Sequence, residues 1–182
     1  AGVNVGLWGP VSVGWAERYR SAEVATGSPM LPAGSEHFGG FLAKLDFDQF
    51  DSLYNPTHGW AAHGSYFYAA GDGYDKADLD LRATDNFGDY IVHGRIRGAG
   101  SFTGSLPFYD PVALGGFLNL TAFASGQLIG DDVAYAHLRA ERIIGRLPLG
   151  LRGDMRFGVA LESGKVALPF AVQKRNGWLH SL

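Results

Sequence analysis

The chain has 182 residues, a net charge of −3 and no cysteine. The lack of cysteine excludes disulfides, thiolate catalysis and Cys-based metal sites, and no basic block is present to hold a nucleic-acid backbone. Glycine is 27 of the 182 residues, about twice ordinary usage, a composition that suits twisted strands and tight turns better than long helices, where each interior glycine costs about 1 kcal/mol relative to alanine.

The opening segment AGVNVGLWGP lacks the basic start and cleavage pattern of a signal peptide. An exported chain would then be expected to begin after its targeting segment. No apolar run reaches the ~18 residues of a membrane helix. That limit does not bear on barrels, whose strands face lipid with every second residue.

Period-two alternation dominates from there on. Phe41, Ala43, Leu45 and Phe47 oppose Lys44, Asp46 and Asp48. Over Tyr74 to Thr84, Ala77, Leu79, Leu81 and Ala83 oppose Lys76, Asp78, Asp80, Arg82 and Thr84. Over Tyr90 to Gly100, Tyr90, Val92 and Ile96 oppose His93, Arg95 and Arg97. Val133 to Glu141 sets Ala134, Ala136, Leu138 and Ala140 against Tyr135, His137, Arg139 and Glu141. Leu149 to Glu162 sets Leu149, Leu151, Met155, Phe157, Val159 and Leu161 against Arg152, Asp154, Arg156 and Glu162. Such strands run to roughly 10 residues or more, whereas soluble strands average about 5–6 and a tilted membrane strand needs about 9–11.

Short turns are expected at Gly9-Pro10, Asn86-Phe87-Gly88 and Arg146-Leu147-Pro148. Long links are expected at Ser21 to His37, Ser101 to Asp132 and Ser163 to Leu168. Short turns at one end and long loops at the other are a barrel pattern. Two connections break it, a tight hairpin at Asp72-Gly73 and a long turn from Gln49 to His58. Trp8, Trp15, Tyr19, Trp60, Tyr74, Phe87 and Tyr90 fall near strand ends, as strand packing or an interfacial girdle would place them. The expected fold is all-β, an antiparallel transmembrane barrel present as about nine strands in a single domain over residues 1–182.

From Asp48 the chain reads DQFDSLYNPTHGW. Asp48 and Asp51 are placed to cap turn N–H groups, with Pro56, Thr57 and Gly59 completing the motif. This turn resembles one that recurs in the BamA/TamA superfamily of bacterial surface-antigen barrels. Two further segments match in order. Pro107-Phe108-Tyr109, Leu114-Gly115-Gly116 and Leu120-Thr121-Ala122-Phe123 resemble the family's long loop that folds back into the lumen. Phe157 to Gly164 resembles its lumen-facing strand motif, with Glu162 and Gly164 at the defining positions. Together the matches cover roughly Phe38 to Val166, and the loop wording is most like the patatin-carrying autotransporter branch.

The resemblance implies a lumen contact between the loop tip and the strand carboxylate. The family's tip carries Arg-Gly and its strand carries Asp; here Thr121 and Ala122 stand at the Arg and Gly positions and Glu162 at the Asp position. A buried Arg without its carboxylate is costly, so joint loss is physically sensible. Thr121 is expected to donate to Glu162 instead, with less energy than a charged pair. The departure bears on any transport or insertase role of the loop.

The resemblance also implies a parent of roughly sixteen strands, missing strands at both ends, and a patatin-like lipase passenger outside this chain. The implied partners are outer-membrane lipid of a Gram-negative bacterium, the barrel-assembly machinery and the passenger. Open sheet edges would invite a second copy, as a homodimer or a rearranged sheet. No nucleic acid, cofactor or metal is expected, since His58 and His63 do not share a helix face. No catalytic residue is expected either, because the Gly-x-Ser-x-Gly nucleophile motif is absent. Two alternatives remain open: an outer-membrane barrel enzyme of lipase or deacylase type, using His63, His93 or His137, and a soluble β-sandwich binding module.

Overall fold

Alternating sequences pair through their backbones and sort their side chains to two faces, and the chain does this throughout. In the computed structural model, residues 1–22, 34–71, 73–146, 153–169 and 177–182 are described. They form ten strands: β1 (Gly2–Asn4), β2 (Pro10–Ala22), β3 (Gly34–Asp48), β4 (Gly59–Ala69), β5 (Asp75–Phe87), β6 (Tyr90–Gly100), β7 (Val112–Leu114), β8 (Leu128–Arg146), β9 (Asp154–Pro169) and β10 (Leu179–Ser181). All pairings are antiparallel, in the order β1-β2-β3-β4-β5-β6-β8-β9-β10, and β7 pairs with β8. Among the described residues the sheet is not closed, and β1 and β10 are its edges. The seven long strands run from 11 to 19 residues.

The all-β antiparallel expectation holds, with ten strands where about nine were expected. Several connections differ. Ser163 to Leu168 is not a loop but part of β9, because Gly164 and Val166 pair with Tyr135 and Val133 of β8. The link expected from Ser21 to His37 shrinks at both ends, since β2 continues to Ala22 and β3 begins at Gly34. Likewise β7 and the start of β8 take residues from the Ser101 to Asp132 link. Asn86 and Phe87 belong to β5, leaving Gly88 and Asp89 as the turn. Gly73 has φ +67° and its N–H reaches the Ala69 carbonyl, as a tight hairpin requires. Asp72, the Leu147-Pro148 turn and the Leu149–Arg152 strand start lie outside the described residues.

The registers define the faces. One face carries Lys44, Asp46, His63, Ser65, Asp78, Asp80, Arg82, Thr84, His93, Arg95, Arg97, Tyr135, His137, Arg139, Glu141 and Glu162. The opposite face carries Val13, Trp15, Phe41, Leu45, Leu79, Leu81, Ile96, Leu138, Phe157, Val159 and Leu161. Charged residues of this second parity include Asp85 and Arg142, towards strand ends, and Glu17, in the middle of β2. Leu79, Leu81, Ile96, Leu138, Val159 and Leu161 are between 41% and 63% exposed.

The core lies on the polar face rather than the apolar one. Residues 101–127 fold back there and pack Leu106, Val112, Leu114 and Leu120 with Phe38, Phe67, Tyr74, Tyr135 and Val166. Phe38 touches Phe67, Tyr74 and Tyr109 at ring-centroid distances of 5.6–5.8 Å. Arg18 lies over Phe67 at 3.7 Å, a cation–π contact.

Candidate lumen-type loop site

Three carboxylates hold the 101–127 segment against the sheet. Asp75, at the start of β5, takes the segment's first residues. It accepts from the main-chain N–H groups of Phe102 (3.1 Å) and Thr103 (2.9 Å), from the Ser101 hydroxyl (2.9 Å) and from the Thr103 hydroxyl. Asp110 sits in mid-segment and grips the strands instead. Lys76 donates to its carboxylate at 2.8 Å and to the main-chain carbonyls of Asp110 and Pro111. Tyr74 donates at 3.1 Å, and Arg18 and Arg20 approach to 3.6 and 3.5 Å.

Glu162 of β9 holds the tip. Its carboxylate is 4% exposed as a residue and accepts from Leu120 N–H (3.2 Å), Thr121 N–H (2.6 Å), the Tyr135 hydroxyl (2.6 Å) and the Ser181 hydroxyl (2.6 Å). Leu118 and Leu120 have φ of +52° and +74°. Left-handed leucines cost about 1–3 kcal/mol each and persist only where their surroundings impose them. Here the distortion turns consecutive N–H groups toward one anion, the geometry of a backbone nest. Gly164 is also accounted for: a Cβ there would meet Leu114 Cδ1 at 3.1 Å and Leu120 Cδ2 at 3.5 Å.

The tip meets the strand carboxylate through the main-chain N–H groups of Leu120 and Thr121. The Thr121 hydroxyl accepts from Leu118 N–H at 3.0 Å. Ala122 is exposed and takes no part, while Phe123 closes the turn by donating its N–H to the Leu120 carbonyl and packs on the core. A guanidinium does reach the tip, from the sheet side: Arg95 donates to the Leu118 carbonyl at 3.3 Å while paired with Asp80 at 2.6 Å. Arg97 similarly donates to the Ala113 carbonyl at 3.4 Å and pairs with Asp78 at 2.7 Å.

Tyr135, Ser181, Asp75 and Asp110 were not expected at this site. Tyr135 lay on the correct face by alternation, but only the β8–β9 register sets it beside Glu162. No sequence signal marks Ser181.

The 48–59 turn is built as its residues suggest. Asp48 accepts from Phe50 N–H at 3.0 Å. Asp51 accepts from the Thr57 hydroxyl (2.5 Å) and the Thr57 N–H (2.8 Å). Those two bonds, the hydroxyl first, hold the Asp51 carboxyl down to about 2. Gly59 has φ +121°, and a Cβ there would meet the Gln49 carbonyl oxygen at 2.2 Å. Pro56 lines a cavity above the turn. The turn reaches across the sheet, since Arg156 of β9 donates to the Asn55 carbonyl at 3.4 Å.

Between this turn and the loop tip lies the cavity, of about 400 Å³. On its wall Thr84 and His93 share a hydrogen bond at 2.9 Å, and the other His93 nitrogen meets Glu141 at 3.2 Å. His63 pairs with Asp46 at 2.6 Å, and His137 contacts the Tyr135 hydroxyl at 3.3 Å. Among the described residues no cluster of three or more potential metal ligands occurs. Comparison with known protein families and with curated proteins finds no match for this chain.

Proposed function

We propose that this chain is part of the membrane-spanning wall of an outer-membrane β-barrel that anchors or translocates a passenger. A patatin-like lipase domain is the passenger the sequence resemblance implies. The observation that carries the reading is the inversion of the sheet's two faces. The face left open is apolar along the middle of every long strand but β2, where Glu17 intervenes, while the face covered by residues 101–127 is charged. A protein in water buries its apolar face first, whereas a barrel in lipid turns that face outward.

The aromatic residues add a second support. Trp8, Phe47 and Trp60 form an edge-to-face cluster at the turn end, with centroids 5.8–6.4 Å apart. Tyr68 stands on the same face of β4 toward the other end. From Trp60 to Tyr68 the strand rises about 26 Å, which a tilt of about 40° reduces to roughly 20 Å, close to the apolar band of such barrels. A soluble sandwich would need a second layer on the apolar face, and Leu106, Val112, Leu114, Leu120 and Phe123 pack on the other one.

Reconstitution into phosphatidylcholine vesicles tests the reading. Strand segments protected from protease and a heat-sensitive gel migration are expected. A detergent-free soluble monomer with full β-structure would overturn it.

One observation favours a second reading, a lumen-side hydrolase: Thr84, His93 and Glu141 stand in hydroxyl–imidazole–carboxylate order. Hydrolysis of a p-nitrophenyl ester lost in Thr84→Ala but kept in Thr84→Ser would support it. Equal rates in wild type and Thr84→Ala would end it.

A further inference from the structure

The cavity between the 48–59 turn and the loop tip has a lining that the barrel reading leaves unused. Its wall carries three guanidiniums, those of Arg82, Arg95 and Arg139, and a single lining carboxylate, Asp48. Behind the wall, Arg82 and Arg95 share the one carboxylate of Asp80. Arg139, Arg156 and His93 share that of Glu141. Arg139 Nε lies 3.2 Å from Glu141, near enough for an ion pair yet misaligned for a hydrogen bond, and its buried N–H has no acceptor among the described residues. The cavity surface thus presents three guanidiniums to one carboxylate, with an N–H donor of Arg139 left over.

The two loops that bound the cavity have the opposite character. Leu53 and Tyr54 of the turn and Phe117 of the loop line it and are 79%, 85% and 84% exposed. Large apolar side chains left in water on both loops, facing a cationic wall, form a two-part surface. A simple anion would use only the wall, and a neutral apolar molecule only the loops.

We infer that this cavity binds a single-chain amphiphilic anion, with its carboxylate on Arg139 and its neighbours and its hydrocarbon between Leu53, Tyr54 and Phe117. A volume of about 400 Å³ falls in the range of small-molecule sites, about 300–1,000 Å³. Charge-assisted bonds from guanidinium to carboxylate fix the head, and apolar contact favours a chain over acetate. The inference rests on the reading of this face as a lumen wall.

The test is a titration of the chain, reconstituted in phosphatidylcholine nanodiscs, with ¹³C-carboxyl octanoate, using empty discs as the blank. Saturable octanoate binding is expected, with acetate and octyltrimethylammonium each weaker by about tenfold or more. Arg139→Gln should weaken octanoate and acetate together. The exposed-site pair Leu53→Ser and Phe117→Ser should weaken octanoate about fivefold or more and leave acetate unchanged. No saturable binding above empty discs would overturn the site. So would equal binding of octanoate and octyltrimethylammonium, or of octanoate and acetate. A chain that fails to insert into the discs counts against the lumen reading itself; an inserted chain that does not bind counts against this site alone.

Discussion

The main-chain N–H of Thr121 donates to the Glu162 carboxylate at 2.6 Å, across 41 positions of sequence. That bond and the three beside it fix a loop tip whose backbone is otherwise unfavourable at Leu118 and Leu120. Removing the acceptor leaves four donors to find new partners.

Glu162→Ala should therefore free the tip. Each buried donor left unsatisfied costs about 1–3 kcal/mol, and the two left-handed leucines lose the anion that holds them. Cleavage between Gly115 and Gln127 in limited proteolysis should accelerate at least tenfold, with β-structure content unchanged. An unaltered cleavage rate would show that the loop is held elsewhere.

Asp110→Ala should destabilise more than its place in a loop suggests. It strands Lys76 at 18% side-chain exposure and leaves Arg18 and Arg20 without their carboxylate. Breaking one partner of a buried ion pair costs about 3–5 kcal/mol. Urea unfolding followed by tryptophan fluorescence in vesicles measures it, and a change below about 1 kcal/mol would contradict the assignment.

Leu138→Arg separates lipid from water as the surroundings of the open face. Leu138 is 54% exposed and stands on the apolar side of β8. An arginine facing the bilayer midplane costs about 2–4 kcal/mol, and less near the interfaces. At an exposed position in water the same change stays within about 0.5 kcal/mol. Comparing unfolding free energies of the two proteins in vesicles reads the difference directly.

The 48–59 turn should loosen in acid. The Asp51 carboxyl is held down to about 2, below its ordinary 3.8, by the Thr57 hydroxyl and then the Thr57 N–H. A depressed carboxyl stabilises the folded turn above the ordinary value, and that contribution is lost as pH falls from about 4 through about 2. Amide exchange at Thr57 should rise across that window, and Asp51→Asn should abolish the pH dependence.

Alternation disclosed which residues share a face because a strand's period is fixed by its geometry, whatever its neighbours do. Leu79 and Leu81 against Asp78 and Asp80 needed no tertiary information. Strand ends on the long-loop side were misjudged for the converse reason. Ser163, Gly164 and Lys165 have a turn-like composition, yet they pair with β8, and position 164 is glycine because Leu114 and Leu120 pack where a side chain would be. At the site, Glu162 and Thr121 were legible as a spaced motif. Tyr135 and Ser181 were not, because their meeting depends on the β8–β9 and β9–β10 registers. Asp75 and Asp110 look like ordinary loop and strand-end acids until the fold sets Ser101–Thr103 and Lys76 against them.

The three carboxylates grip residues 101–127 at their entry, middle and tip, each through a separate set of donors. Loss of any one grip leaves two fulcrums, so the segment can swing without departing. The segment is thus tied down by three independent anchors rather than by one cooperative contact.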